Sequence, residues 1–169
     1  NLVMSLLAQY KHCHKNECLF LNTNLKSIFV DSNDIGSFGV PMMNSIILEF
    51  FDSKFDRMNG CVFYPPEIYQ TYQWSVQTDI FAFGVIAFYI FTGEWVFPKT
   101  GSIIQLKRGF QKGAATHHIL DEQLDPVTQL LIKKAIQLDP VKRWRSIDEM
   151  IGVSNPQNLD DQLASLNQN

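Results

Sequence analysis

Leu2, Val3, Leu6, Leu7, Tyr10 and Cys13 recur at helical spacing, so residues 1–14 predict an amphipathic helix. Two short apolar runs follow, Leu19-Phe20-Leu21 and Ile28-Phe29-Val30. They read as small strands flanking a loop, with Asp31-Ser32-Asn33-Asp34 as a turn. Residues 37–66 carry no clear period and are punctuated by Gly, Pro, Asn and Asp, which predicts a long surface loop. From Ile80 to Phe91 the chain is apolar on every side, the pattern of a helix buried in a core. Asp79 is placed to cap its start and Thr92-Gly93 to end it.

Further helices are predicted at Ser102–Arg108, closed by Gly109, and after Asp125-Pro126. Proline suits the first helical position because its missing amide would be unpaired there anyway. Val127, Leu130, Leu131, Ala135 and Leu138 mark the buried side of that second helix. Asp139-Pro140 turns the chain, and Ser146-Ile147-Asp148-Glu149 has the spacing of a capping box opening the last helix. The tail from Gly152 is rich in Asn, Gln, Ser and Asp. Leu159, Leu163 and Leu166 give it at most a weak amphipathic turn or two.

The chain is 169 residues long, 46% apolar and 18% charged, an ordinary composition for one globular domain. A formal net charge of -3, with the two signs interspersed, points to neither nucleic acid nor an acidic membrane surface as partner. The Ile80–Phe91 stretch is about 12 residues, short of the roughly 20 needed to span a bilayer. There is no secretory leader pattern at Asn1-Leu2-Val3, and no initiator methionine, so the chain reads as a fragment cut at a domain boundary. Cys13, Cys18 and Cys61 are odd in number and lack a disulfide-framework spacing, which points to a reducing, cytoplasmic setting.

His12-Cys13-His14 with Cys18 has the composition of a zinc site, but adjacent helical residues face different ways and four ligands must converge. A nucleophile built from Cys61 with His117 or His118 lacks the strained turn such sites carry. Lys99, Lys107, Arg108 and Lys112 make a mild basic cluster, either a solvated face or a surface for docking another protein.

Four stretches, in order, resemble the C-terminal lobe of eukaryotic protein kinases. Gly60-Cys61-Val62-Phe63-Tyr64-Pro65-Pro66-Glu67 resembles the end of the family's activation segment. Asp79-Ile80-Phe81-Ala82-Phe83-Gly84-Val85 resembles the start of its central buried helix. Thr92-Gly93 with Phe97-Pro98 resembles the segment that follows. Leu138-Asp139-Pro140-Val141-Lys142-Arg143 resembles its late Asp-Pro-x-x-Arg motif. The resemblance covers roughly residues 1–151, leaving 152–169 as a polar tail. It implies a mainly α fold of the α+β kind, a kinase-like C-lobe with a small β-hairpin region, the N-lobe being absent from this stretch.

The resemblance further implies that Glu67 pairs with Arg143. It also implies that Asp79 accepts backbone amides from the loop around Leu21 and Asn22. Counting forward from His14, Phe20-Leu21-Asn22 occupies the family's His-Arg-Asp positions. Ser27 falls at its metal-binding Asn, and Ser37-Phe38-Gly39 at Asp-Phe-Gly. A slipped register through Asn24-Leu25-Lys26 leaves Asn at the catalytic position too. Phosphoryl transfer needs a proton acceptor and magnesium held by anionic oxygens. A neutral amide at Asn22 accepts no proton, and hydroxyls at Ser27 and Ser37 hold magnesium poorly. Leu21 replaces the arginine that pairs with a loop phosphate, and Cys61 stands where the family usually has Thr. Asp31 and Asp34 are conceivable replacement ligands, although Ser32 and Asn33 make a turn the simpler role.

The expectation is therefore a pseudokinase module that is not an enzyme, needs no cofactor and acts through other proteins. The alternatives are a divergent kinase using ATP with magnesium, completed by an N-lobe upstream, and a degenerate fragment without a stable function.

Overall fold

The computed structural model describes residues 2–20, 25, 28–39, 64–71, 73–97, 108–109 and 124–153. Its elements are α1 (Leu2–Lys15), β1 (Ile28–Val30), β2 (Gly36–Phe38), α2 (Ile68–Thr71), α3 (Val76–Thr92), α4 (Pro126–Ala135), a 3₁₀ turn (Pro140–Lys142) and α5 (Ile147–Gly152). This is a helical fold with a small antiparallel hairpin, as the hydrophobic pattern implied.

The first helix buries Leu6, Leu7 and Tyr10. It ends in a Schellman turn: the Cys18 amide donates to the Cys13 carbonyl at 3.0 Å and the Glu17 amide to that of His14 at 3.1 Å. Glu17 takes the left-handed conformation, φ 57°, at the position that usually holds glycine.

The strand expected at Leu19–Leu21 is not formed at residues 19 and 20, and Leu21 lies outside the described residues. The partner of β1 is instead β2, in the register Ile28↔Phe38, Phe29↔Ser37, Val30↔Gly36. The loop predicted from residue 37 therefore begins after a strand that had no alternation to announce it. Residues 40–63 of that loop lie outside the described residues. The tetrapeptide turn is as expected: Asp31 Oδ1 accepts the Asn33 and Ile35 amides at 2.8 and 2.9 Å. These backbone bonds hold the Asp31 carboxyl below its ordinary pKa.

The central helix α3 begins earlier than the apolar run suggested. Ser75 is its N-cap, with Thr78 closing a reciprocal capping box, so Asp79 sits inside the first turn and is not the cap. Gly93 ends it at φ 73°, its amide bonded to the Tyr89 carbonyl. Every residue from Thr78 to Phe88 is buried, and side chains such as Phe81 and Phe88 contribute roughly 1.5–3 kcal/mol each by leaving water. Gly84 lets α4 approach: a Cβ there would lie 2.7 Å from Ala135 Cβ and 2.9 Å from Ile136 Cγ2.

Asp125 caps α4 by accepting the Val127 and Thr128 amides. Arg108 and Gly109 are both helical, so Gly109 does not close a helix ending at Arg108. Residues 102–107 of that predicted helix, and the tail from residue 154, lie outside the described residues. Ser146 caps α5 by accepting the Glu149 amide. The expected reciprocal bond is displaced: Glu149 Oε2 accepts the Arg145 amide at 2.6 Å, one residue upstream of the cap. Trp144 is fully buried beneath these helices, its indole N–H donating to Leu131 O at 3.0 Å and the Lys134 ammonium 4.0 Å above its ring.

Candidate functional site

The central helix holds the segment after α1 by a single carboxylate. Asp79 Oδ2 accepts the Phe20 amide at 2.7 Å and lies 2.9 Å from His14 Nε2. A carboxylate only accepts, so the ring proton of His14 sits on Nε2. Its Nδ1 is buried with no hydrogen-bond partner among the described residues. The expectation placed the amide partner around Leu21 and Asn22. Among the described residues the amide partner is Phe20, and Leu21 and Asn22 lie outside them.

Once anchored, Phe20 builds an aromatic column. Its ring stands 4.7 Å from Tyr10 and 4.8 Å from Phe38, and Tyr10 meets Phe38 edge-on at 5.3 Å. Three elements thus meet around β2: α1 through Tyr10, the post-helix segment through Phe20, and β2 through Phe38.

Ser37, the residue between Gly36 and Phe38, is exposed. Its neighbours are held by α1 side chains that act as an extra strand edge. Gln9 donates its amide Nε2 to Gly36 O at 2.8 Å and accepts the Phe38 amide on Oε1 at 2.9 Å. Ser5 Oγ accepts the Gly36 amide at 2.8 Å. Gln9 and Ser5 were not singled out from sequence. Their signal was faint: two uncharged polar residues beside the apolar stripe of α1.

A second anchor lies at the same N-terminal end of α3, around Gln77 and Phe81. Arg143 is fully buried, and its guanidinium donates five hydrogen bonds. Two run in parallel to Glu67, Nη1 to Oε1 at 2.5 Å and Nη2 to Oε2 at 2.9 Å. The others reach Gln137 O at 2.6 Å, Gln77 O at 3.0 Å and Leu138 O at 3.0 Å. All five N–H donors are used, the condition under which a buried guanidinium is tolerated. Its plane also lies 4.8 Å from the Phe81 ring.

Of the residues singled out from sequence, Glu67 and Arg143 meet each other. Asp79 lies in its own anchor, and Ser37 on the hairpin. Asn22, Ser27, Cys61, Lys99, Lys107 and Lys112 lie outside the described residues, while Arg108 is exposed. Cys13 and Cys18 are free thiols. Among the described residues no group of three or more His, Cys, Asp or Glu side chains converges as a metal site. Nor is any helix long and apolar enough to cross a membrane.

No protein-family model matches the chain, and no curated protein matches it by sequence. Solved structures do resemble it in fold. PpkA-294 in its apo form superposes with a TM-score of 0.69 at 20% identity, over 91% of this chain and 52% of that one. The Rad53 kinase domain with SCD2 in complex with AMPPNP gives 0.67 at 16% identity, over 92% and 56%. Rad53 1-466 in complex with AMP-PNP gives 0.65 at 17% identity, over 86% and 36%. The chain thus spans about half the length, or less, of the structures it resembles. These neighbours are protein kinases, and the chain has a kinase-like fold.

Proposed function

We propose that the chain is a non-catalytic, kinase-like module that works through protein contacts in the cytoplasm. One observation supports this reading: the kinase-like scaffold is formed around a hairpin that displays a serine where the resemblance expects an acidic metal ligand. The Asp79–Phe20 anchor, the Phe20–Phe38 contact and the Arg143–Glu67 fork are all formed. Yet the exposed residue displayed beside Phe38 is Ser37, which offers a neutral hydroxyl. On the resemblance drawn from sequence, Asn22 and Ser27 complete a pocket lacking every acidic group that phosphoryl transfer uses.

On this reading the pocket does not hold magnesium. The carboxylates nearest to Ser37 along the hairpin are those of the turn residues Asp34 and Asp31, and Asp31 Oδ1 is taken by two turn amides. A hydroxyl is a weak ligand for a hard dication. The basic cluster read from sequence at Lys99, Lys107, Arg108 and Lys112, of which Arg108 is exposed, is the region we assign to docking of a protein partner.

The test is transfer of γ-labelled phosphate from ATP by the full-length parent protein. We expect none above background. Labelling that Asn22→Ala and Ser37→Ala abolish would overturn the proposal in favour of a divergent ATP- and magnesium-dependent kinase. Labelling that survives both changes would trace to a contaminant. Thermal stability with magnesium and ATP asks separately about nucleotide binding, since a ligand of the native state must raise it.

A further inference from the structure

The turn that ends α1 brings two cysteines together. In a Schellman turn the residue after the left-handed position folds back over the residue five before it, and the two side chains commonly touch. Here those residues are Cys18 and Cys13, joined by the 3.0 Å bond from the Cys18 amide to the Cys13 carbonyl. Adding covalent lengths to that bond places the two Cα atoms at most about 7 Å apart, close to the roughly 4.4–6.8 Å range of disulfides.

Their environments differ in a useful way. Cys18 is exposed, and its Sγ donates weakly to Asn16 O at 3.3 Å, back over the helix end. Cys13 is half-buried against the core. Burial, followed by the neighbouring Cys18 and Asp79, pushes the Cys13 thiol up.

We propose that Cys13 and Cys18 form a reversible intramolecular disulfide with hydrogen peroxide as oxidant, closing a covalent ring over the C-terminal turn of α1. The exposed Cys18 thiolate attacks one peroxide oxygen; the O–O bond breaks, and hydroxide leaves and takes up a proton to become water. Cys18 is then a sulfenic acid. The Cys13 sulfur attacks the Cys18 sulfur, forming S–S and breaking S–O, and the departing hydroxide leaves as water with the Cys13 proton. Two thiols have lost two electrons, and one peroxide has become two waters. In a reducing compartment such a bond is transient, as regulatory disulfides are. The ring ends two residues before Phe20, so it stiffens the segment that Asp79 holds and the aromatic column rests on. This site is independent of whether the pocket transfers phosphate.

The experiment uses the full chain carrying Cys61→Ser, fully reduced and then treated with hydrogen peroxide. Trypsin cuts after Lys15 and so separates the two cysteines, leaving only a disulfide to hold their peptides together. The expected product is that linked pair from monomeric protein, reversed by dithiothreitol and absent from Cys18→Ser. Amide exchange at residues 16–20 is expected to slow about tenfold on oxidation, as opening of the turn is suppressed. Sulfinic acid on Cys18 with Cys13 still open to alkylation would overturn the proposal. A link found only between copies, on non-reducing gels, would do so as well.

Discussion

The Phe20 amide donates to Asp79 Oδ2 at 2.7 Å across 59 positions of sequence, joining the end of α1 to the first turn of α3. Both groups are buried, and the same oxygen holds His14. The carboxylate therefore fixes where the chain leaves α1, and through Phe20 it fixes the column beneath β2.

Replacing Asp79 by Ala leaves the Phe20 amide and His14 Nε2 buried without that acceptor. Each such group costs roughly 1–3 kcal/mol, so Asp79→Ala is expected to destabilise the protein by about 2–5 kcal/mol in urea denaturation. Asp79→Asn, which keeps one accepting oxygen, is expected to lose less. Equal losses for the two variants would show that the carbonyl-type acceptor is not what matters.

The Gln9 contact with β2 makes a more local prediction. Gln9→Ala removes the two hydrogen bonds to β2, at about 1 kcal/mol net each, along with a longer one to Ser5 O. Faster amide exchange is expected at Phe38, whose N–H loses its acceptor, with little change in α4. Gln9→Glu can still accept from Phe38 but sets a carboxylate against Gly36 O, so it is expected to be worse at pH 7 than at pH 4. If exchange rises evenly across the chain, Gln9 is a general packing residue and not a brace for Ser37.

Arg143 and Glu67 test whether a buried fork or a buried charge is at stake. Glu67→Ala leaves a guanidinium uncompensated in the core and is expected to cost about 3–5 kcal/mol. Arg143→Lys keeps the charge, yet an ammonium cannot supply five donors in a plane. It is expected to fall well short of wild type in melting temperature. Near-wild-type stability for Arg143→Lys would mean that the three carbonyl contacts contribute nothing.

Asp125 gives a pH dependence with a definite sign. Burial raises its pKa, but hydrogen bonds from Thr128 and Val127 outweigh this and hold the carboxyl below the ordinary value of 3.8. The unfolded chain thus binds the proton more tightly than the folded one. The contribution is present above about pH 4 and fades as pH falls through the depressed folded value. Loss of the cap in Asp125→Ala is expected to cost about 1 kcal/mol at pH 7, less any part screened by solvent. The difference from wild type should shrink toward pH 2, and a constant difference across that range would refute the assignment.

Much of this is legible in the sequence. The apolar run at Ile80–Phe91 announced the buried helix, and Asp125-Pro126 announced the start of α4. The turn at Asp31–Asp34 was readable because short polar side chains accept their own downstream amides. What was misread has common causes. β2 has three residues, Gly36, Ser37 and Phe38, and no alternation can show in so short a strand. The capping box at Ser75 and Thr78 was overlooked because Asp79 was the more conspicuous cap, although its carboxylate is turned to Phe20. Leu19–Leu21 looked like a strand, but an apolar run is extended only if another edge is there to pair with it.

Local sequence, then, determined the long helices α1, α3 and α4, the start of α5 and which faces are apolar, though not the short α2, because those preferences are set within a few residues along the chain. It did not determine that Asp79 reaches Phe20, that Gln9 serves as an edge for β2, or that five donors of Arg143 find five acceptors. Those partners lie far apart in sequence, and only burial, which removes water as the competing partner, makes one arrangement of them preferable to all others.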